Sequence, residues 1–262
     1  MITVDINPVL FGFGHFAVRW YGVIVAGSIG LAAWVASREA RRKGLSLEIY
    51  QDVLLWVILG GLIGARAFHV VDHWPHEYAA NPVRVLYLWE GGLAIWGAVV
   101  GGMSALLIFA RRRGVSLGRL ADVAAPGLVL AMGVGRLACI VTGDAMGPPT
   151  SGPFGIAYTN PAAMVPQLGV YYTPMPVYEL IVNLGIFALV WQLRRRRWPD
   201  GVLFLVFLSL YSVERFLLAY ASSYQIVAAG LTQSQLVALA ALAVSVPLGI
   251  WTLSRKVDVR PA

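Results

Sequence analysis

The chain has 262 residues, 58% of them hydrophobic and 13% charged, with a mean hydropathy of +0.71. Soluble domains run at roughly 45–50% apolar and about 25% charged, so the composition excludes an ordinary soluble protein and indicates a polytopic membrane protein. A single cysteine excludes an internal disulfide and any multi-cysteine metal centre, and the net charge of +7 raises nucleic-acid binding only until the charges are located.

Met1 to Asn7 carries no basic n-region, so the N-terminus is expected to be retained rather than cleaved as a signal peptide. Apolar stretches of about 20 residues, the length that crosses a bilayer, centre on 17–37, 52–72, 92–110, 119–141, 175–193, 201–220 and 233–253. Basic clusters follow alternate spans: Arg38/Arg41/Arg42/Lys43, Arg111/Arg112/Arg113/Arg119, Arg194 to Arg197, and Arg255/Lys256/Arg260. With seven spans all four fall on one side. That pattern reads as topology anchoring, with the N-terminus outside and the C-terminus cytoplasmic, and it removes the case for nucleic acid. The expected fold class is therefore an all-α integral membrane protein of about seven transmembrane helices. No polar linker divides it, so residues 1–262 are expected to form one integral domain.

The Lys and Arg residues outside the clusters are Arg19, Arg66, Arg84, Arg136 and Arg215. Arg84 fits an outer loop, whereas Arg19, Arg66, Arg136 and Arg215 fall within spans or at their outer ends, where a charge costs at least about 2.5–3.5 kcal/mol. Such residues predict a polar interior suited to an anion. In the second and third spans, Gly60/Gly64 and Gly97/Gly101 have the four-residue spacing that lets helix backbones approach. His69, His73 and His76, followed by Glu77, have a spacing that admits zinc; hydrogen bonds at a membrane interface explain them more simply, and no metal is assigned. Between the third and fourth spans lies no chemistry, but the fourth ends in Gly133-Val-Gly-Arg136-Leu-Ala-Cys139-Ile-Val-Thr-Gly143-Asp144-Ala-Met-Gly147. Arg136, Cys139 and Gly143 share one helical stripe. The prolines from Pro148 to Pro174 exclude a helix in the next stretch, which is expected to form an outer loop region between helices 4 and 5, of the length that usually serves binding.

In the sixth span, Tyr211 and Arg215 are four apart and stack on one face. Two arginines facing one cavity suit a phosphate or carboxylate, because the planar guanidinium presents paired donors. A structural alternative stands beside this: Arg136 and Arg215 pair with Asp144, Glu179 or Glu214. Gly91 and Gly92 open the third span and let backbone approach a ligand, with Glu90 at the helix N-terminus. Cys139 has no adjacent histidine and is read as a small buried hydrophobe.

Several segments in order resemble the bacterial prolipoprotein diacylglyceryl transferases. Val18-Arg19-Trp20-Tyr21-Gly22 is similar to the family's R-W-Y-G, Gly64-Ala-Arg66 with His69 to its G-x-R, and Trp89-Glu90-Gly91-Gly92-Leu-Ala-Ile-Trp96-Gly97 to its W-x-G-G segment. Gly135-Arg136-Leu137 through Gly143-Asp144 to Gly147 resembles the signature G-R-x-x-N-x-x-x-G-E-x-x-G. Pro174 to Glu179 resembles H-P-x-x-x-Y-E, and Tyr211 to Phe216 resembles Y-x-x-x-R-F. The resemblance implies transfer of a diacylglyceryl group from phosphatidylglycerol to the lipobox cysteine thiol of prolipoprotein signal peptides, with no cofactor and no metal, in the bacterial plasma (inner) membrane as a multi-pass protein. It further implies that Arg136 and Arg215 hold the lipid phosphate, that Tyr21 and Tyr211 position lipid or leaving group, that Gly147 shapes the pocket mouth, and that Arg66, Gly91, Gly92 and Glu179 belong to the substrate site. The chain departs from the family at Trp96, where a histidine is common, at Cys139 in place of asparagine, and at Asp144 in place of glutamate. Candidate bases are then Asp144 and Glu179, with Glu90 third. Another phospholipid-handling enzyme using the same phosphate site, or a non-enzymatic anion or lipid transporter, forms the alternative.

Overall fold

A computed structural model describes residues 1–13, 16–87 and 91–255. Seven helices carry the chain: α1 (Trp20–Arg42), α2 (Leu47–Asp72), α3 (Ile95–Arg113), α4 (Leu117–Thr142), α5 (Met175–Leu193), α6 (Val202–Leu218) and α7 (Gln233–Ser254). Each is long and apolar enough to span a membrane, at the positions expected from hydropathy. Short strands supplement them: β1 (Ile2–Val4), β2 (Val9–Phe13), β3 (Phe16–Arg19), β4 (Ile156–Tyr158), β5 (Ile226–Ala228) and β6 (Leu231–Thr232). None of these was expected, because strands of two to five residues leave too little alternation to read. Lys256, Arg260, Trp89 and Glu90, named above, lie outside the described residues.

The chain divides into two compact units, Ser37–Leu120 and the remainder, with boundaries inside α1 and α4. In the Ser37–Leu120 unit the glycines of α2 and α3 set the packing. A methyl group at Gly60 would stand 2.9 Å from Gly101 O and 2.5 Å from Ala105 Cβ, and methyls at Gly64 and Gly97 would each strike the other residue's carbonyl oxygen. The helices therefore touch backbone to backbone, as small-residue spacing allows in a membrane. Ser46 opens α2 by accepting from Ile49 N at 3.2 Å, and Gly114 closes α3 at φ +65, a conformation that favours glycine. At that end Arg113 donates to Asp52 Oδ2 at 2.7 Å.

In the other unit, α4, α5 and α6 share a core of Ala125, Val129, Ile186, Val190, Leu203 and Phe207. Asp122 of α4 is 1% exposed and accepts from Gly201 N at 3.0 Å and Phe204 N at 2.9 Å. A carboxylate thus satisfies the first amides of α6, where the helix dipole favours negative charge. Thr232 and Gln235 form a reciprocal capping box that opens α7. Two glycines of α4 set its neighbours: a methyl at Gly127 would meet Ala32 O of α1 at 2.5 Å, and one at Gly133 would meet Asn183 Cβ of α5 at 3.2 Å. That second approach brings α5 against α4 one turn before Arg136.

The 143–174 segment is non-helical, as its prolines require. Its strand β4 pairs in parallel with β1, Ile2 opposite Ile156, and Gly147 N donates to Thr173 O at 2.8 Å. Tyr158 is fully buried, and its hydroxyl donates to Ile140 O at 2.6 Å, tying the segment to the end of α4. Burial, and next the nearby Cys139, hold this phenol above the usual tyrosine range.

Two measurements check this packing. Gly64→Val forces side chain into the α2–α3 backbone contact and is expected to lower stability by about 1–3 kcal/mol, read as thermal unfolding in detergent. Because the Tyr158 pKa is raised on folding, its stabilisation is full below pH about 10 and is lost as pH rises further. Tyr158→Phe is expected to reduce stability by about 1 kcal/mol at neutral pH and to flatten that alkaline loss.

Candidate active site

Glu179 sits near the start of α5 with a side chain only 5% exposed. Both of its oxygens meet arginine: Oε2 pairs with Arg136 Nε from α4, and Oε1 accepts from Arg215 Nη1 of α6. Three helices thus converge on one carboxylate, at the ends opposite their basic clusters. The structural alternative raised from sequence is realised with Glu179 as the shared partner, and that same pairing places the two guanidiniums side by side. Asp144 is not the partner of Arg136. It accepts from Ala145 N at 2.8 Å through Oδ1, beyond the end of α4.

Donor accounting separates the buried arginines. A guanidinium has five N–H donors. Arg66, 7% exposed, commits all five to backbone carbonyls: Nε to Val85, Nη1 to Gly91 and Gly92, Nη2 to Arg84 and Tyr87, at 2.6–3.3 Å. It staples the segment before α3, with each of its donors meeting a backbone carbonyl. Gly91 and Gly92 adopt φ +88 and +73, and a side chain at Gly92 would strike Arg66 and His69. These three residues belong to the Ser37–Leu120 unit.

Arg136 and Arg215 differ. Besides Glu179, Arg136 lies within electrostatic reach of Cys139, and Arg215 donates to Tyr224 Oη at 3.4 Å with its guanidinium 5.8 Å from that ring. Their side chains keep 24% and 17% exposure, and each retains N–H groups with no acceptor among the described residues. Desolvated but unsaturated guanidiniums are poised for a further oxyanion.

Tyr21, at the start of α1, lies within electrostatic reach of Arg136, Cys139 and Asp144, and Tyr211 within reach of Arg136, Arg215, Glu179 and Glu214. Gly147 is buried, and a methyl group there would meet Met175 Cγ at 2.8 Å and Thr173 Cβ at 2.9 Å, so the turn behind α5 admits only glycine. Arg19 ends β3, immediately before α1, and is exposed. His69 and His73 stack at 4.2 Å, and His69 stands 3.5 Å from Glu77; α2 ends at Asp72, so the three histidines do not share one helical face, and no group of three or more metal-binding side chains occurs among the described residues. Trp96 is exposed on α3.

Sequence reasoning missed Asn183 and Tyr224. Asn183, 2% exposed, donates to Glu179 O at 2.8 Å and Glu214 Oε1 at 3.4 Å. Its signal was present, since Glu179 and Asn183 are two polar residues four apart in the first half of a largely apolar span. Tyr224 follows α6 in a segment whose sequence carries no pattern.

Seven helices long and apolar enough to span a membrane define a multi-pass membrane protein, and in one of its units a carboxylate clamps two unsaturated arginines. Comparison with known proteins narrows the class: residues 8–251 match the family described as prolipoprotein diacylglyceryl transferase, and the chain belongs to that family. A phosphatidylglycerol–prolipoprotein diacylglyceryl transferase of Dehalococcoides mccartyi is 34% identical over 96% of this chain and 95% of its own length. Proteins of the same name from Geobacillus kaustophilus and Lactobacillus acidophilus are 35% and 34% identical, over 94% and 82% of this chain and 92% and 79% of their own lengths.

Removing the clamp is expected to be costly. Glu179→Ala leaves two buried guanidiniums uncompensated, a loss of about 3–5 kcal/mol, seen as a large drop in unfolding temperature; an unchanged temperature would contradict the clamp.

Proposed function

We propose that this chain transfers the diacylglyceryl group of phosphatidylglycerol to the lipobox cysteine of prolipoprotein signal peptides. The observation that carries the reading is the donor accounting: Arg136 and Arg215, fixed together by Glu179, keep N–H groups for a phosphate, while Arg66 keeps none. The family membership and the names of its relatives supply the reaction. Orientation follows from the basic clusters, which face the cytoplasm and set the arginine pair in the outer half of a bacterial inner membrane. The family match spans both units, which supports treating 1–262 as one functional domain.

In the reaction the cysteine sulfur attacks the glyceryl carbon bonded to the phosphate oxygen. The S–C bond forms, the C–O bond breaks, and glycerol phosphate leaves with an additional negative charge. Arg136 and Arg215, already desolvated and fixed, stabilise that charge without reorganisation, the form of electrostatic assistance that acts on the transition state. The thiol must lose its proton. Glu179 is ion-paired with both guanidiniums, whereas Asp144 is paired with neither and accepts only from Ala145 N, so Asp144 is assigned as the base. Tyr21, in electrostatic reach of Asp144 and Arg136, positions the lipid or leaving group, and Tyr211 does so from α6.

Purified protein given phosphatidylglycerol and a lipobox peptide is expected to yield the diacylglyceryl thioether, detected by mass spectrometry. Arg136→Ala or Arg215→Ala should slow product formation by at least about 10²-fold, and Lys at either position should rescue little, since it lacks the fork. Asp144→Asn should slow the reaction while leaving phosphatidylglycerol binding intact. No product beside an active control enzyme would overturn the reading.

A further inference from the structure

Glu214 precedes Arg215 on α6 and is 4% exposed, yet it pairs with neither arginine. Its Oε1 accepts only from Asn183 Nδ2, at 3.4 Å, and its Oε2 has no partner. Asn183 Oδ1 has none either, and Glu179 Oε2, the third such atom, is ion-paired with Arg136. The orientation of that amide is fixed by chemistry, because Nδ2 donates to the carbonyl of Glu179 at 2.8 Å, and Oδ1 in its place would oppose oxygen to oxygen. Two side chains joined by one hydrogen bond therefore present two buried acceptors and have no donor left between them.

Buried polar atoms are nearly always satisfied, and the asparagine cannot acquire a proton. A carboxyl group can. A proton on Glu214 Oε2 turns that oxygen into a donor and supplies what Asn183 Oδ1 lacks, the acid and amide then bonding reciprocally. Left ionised, Glu214 would be a nearly dehydrated carboxylate with one long hydrogen bond, in an environment that penalises charge. The charged and titratable groups around it are Glu179 on α5, Arg136 on α4, and Arg215 and Tyr211 on its own helix. Helix α7, which packs on α6, carries no ionisable residue.

We infer that Glu214 is held as a neutral carboxylic acid hydrogen-bonded to Asn183, so that the buried set of two arginines and Glu179 keeps one net positive charge for a monoanionic phosphodiester. The acid thereby acts as a positioning residue. It fixes Asn183 and through it the first turns of α5, and it leaves the arginine pair's charge uncancelled. The second half of this inference rests on the phosphate-binding reading above; the first half does not.

The test is infrared difference spectroscopy on the full chain in lipid nanodiscs, paired with binding of phosphatidylglycerol. At neutral pH the parent protein should show a protonated-carboxyl C=O band that shifts in D2O and is missing from Glu214→Gln. Asn183→Val should retain the band but move it to higher frequency, as expected for an acid that has lost its hydrogen-bond partner, which keeps the test decisive if the Gln variant does not fold. Glu214→Gln should bind phosphatidylglycerol within about threefold of the parent, and should resist the loss of about tenfold or more that the parent suffers at alkaline pH. A parent spectrum without the band, or a band indifferent to both substitutions, would overturn the inference. A band with these properties in a protein that binds no phosphatidylglycerol would uphold the neutral acid and remove the phosphate reading instead.

Discussion

One carboxylate holds the site together. Glu179 receives Arg136 from α4 and Arg215 from α6, and in an apolar surrounding neither guanidinium tolerates separation from it. A buried ion pair is weak evidence of stability, because desolvation offsets much of the attraction. Its value here is positional: it binds three helices at one level and sets two cations at a spacing that thermal motion of separate side chains would not maintain. Gly133 makes the arrangement possible by letting α5 approach α4 one turn earlier, so the chemistry at the helix ends depends on packing beneath it.

The contrast with Arg66 shows why a buried arginine is not by itself a ligand site. Its five donors meet five carbonyls, a fully satisfied arrangement that orders the residues before α3. Arg136 and Arg215 are partly satisfied. In a low-dielectric interior an unused donor is expensive, and a site that binds an anion recovers that cost only when the anion arrives. The distinction between structural and functional arginine therefore lies in unsatisfied donors rather than in depth.

Much of this was legible in the sequence. Hydropathy located all seven helices because spans of about 20 apolar residues leave little ambiguity, and four-residue glycine spacing foretold the α2–α3 contact. Arg136, Arg215 and Tyr211 stood out by residue type and spacing and Tyr21 by the family resemblance; Glu179 joins the two arginines, and both tyrosines lie within electrostatic reach of Arg136. Which acid would take the arginines was not legible: Asp144, Glu179 and Glu214 were equal candidates until helix rotation decided it. The partners of Arg66 were not legible either, because they are backbone carbonyls, which leave no trace in side-chain pattern. The short strands and Tyr224 escaped for a related reason, since their placement depends on pairings distant in sequence, as between β1 and β4.

The central claim is that Arg136 and Arg215 form a single phosphate site. Phosphatidylglycerol binding by the parent, Arg136→Ala, Arg215→Ala and the double variant, measured by native mass spectrometry in one detergent, tests it as a double-mutant cycle. A shared site predicts strong coupling, with the double variant binding little worse than either single one. Independent, additive losses, or binding that survives both substitutions, would contradict it.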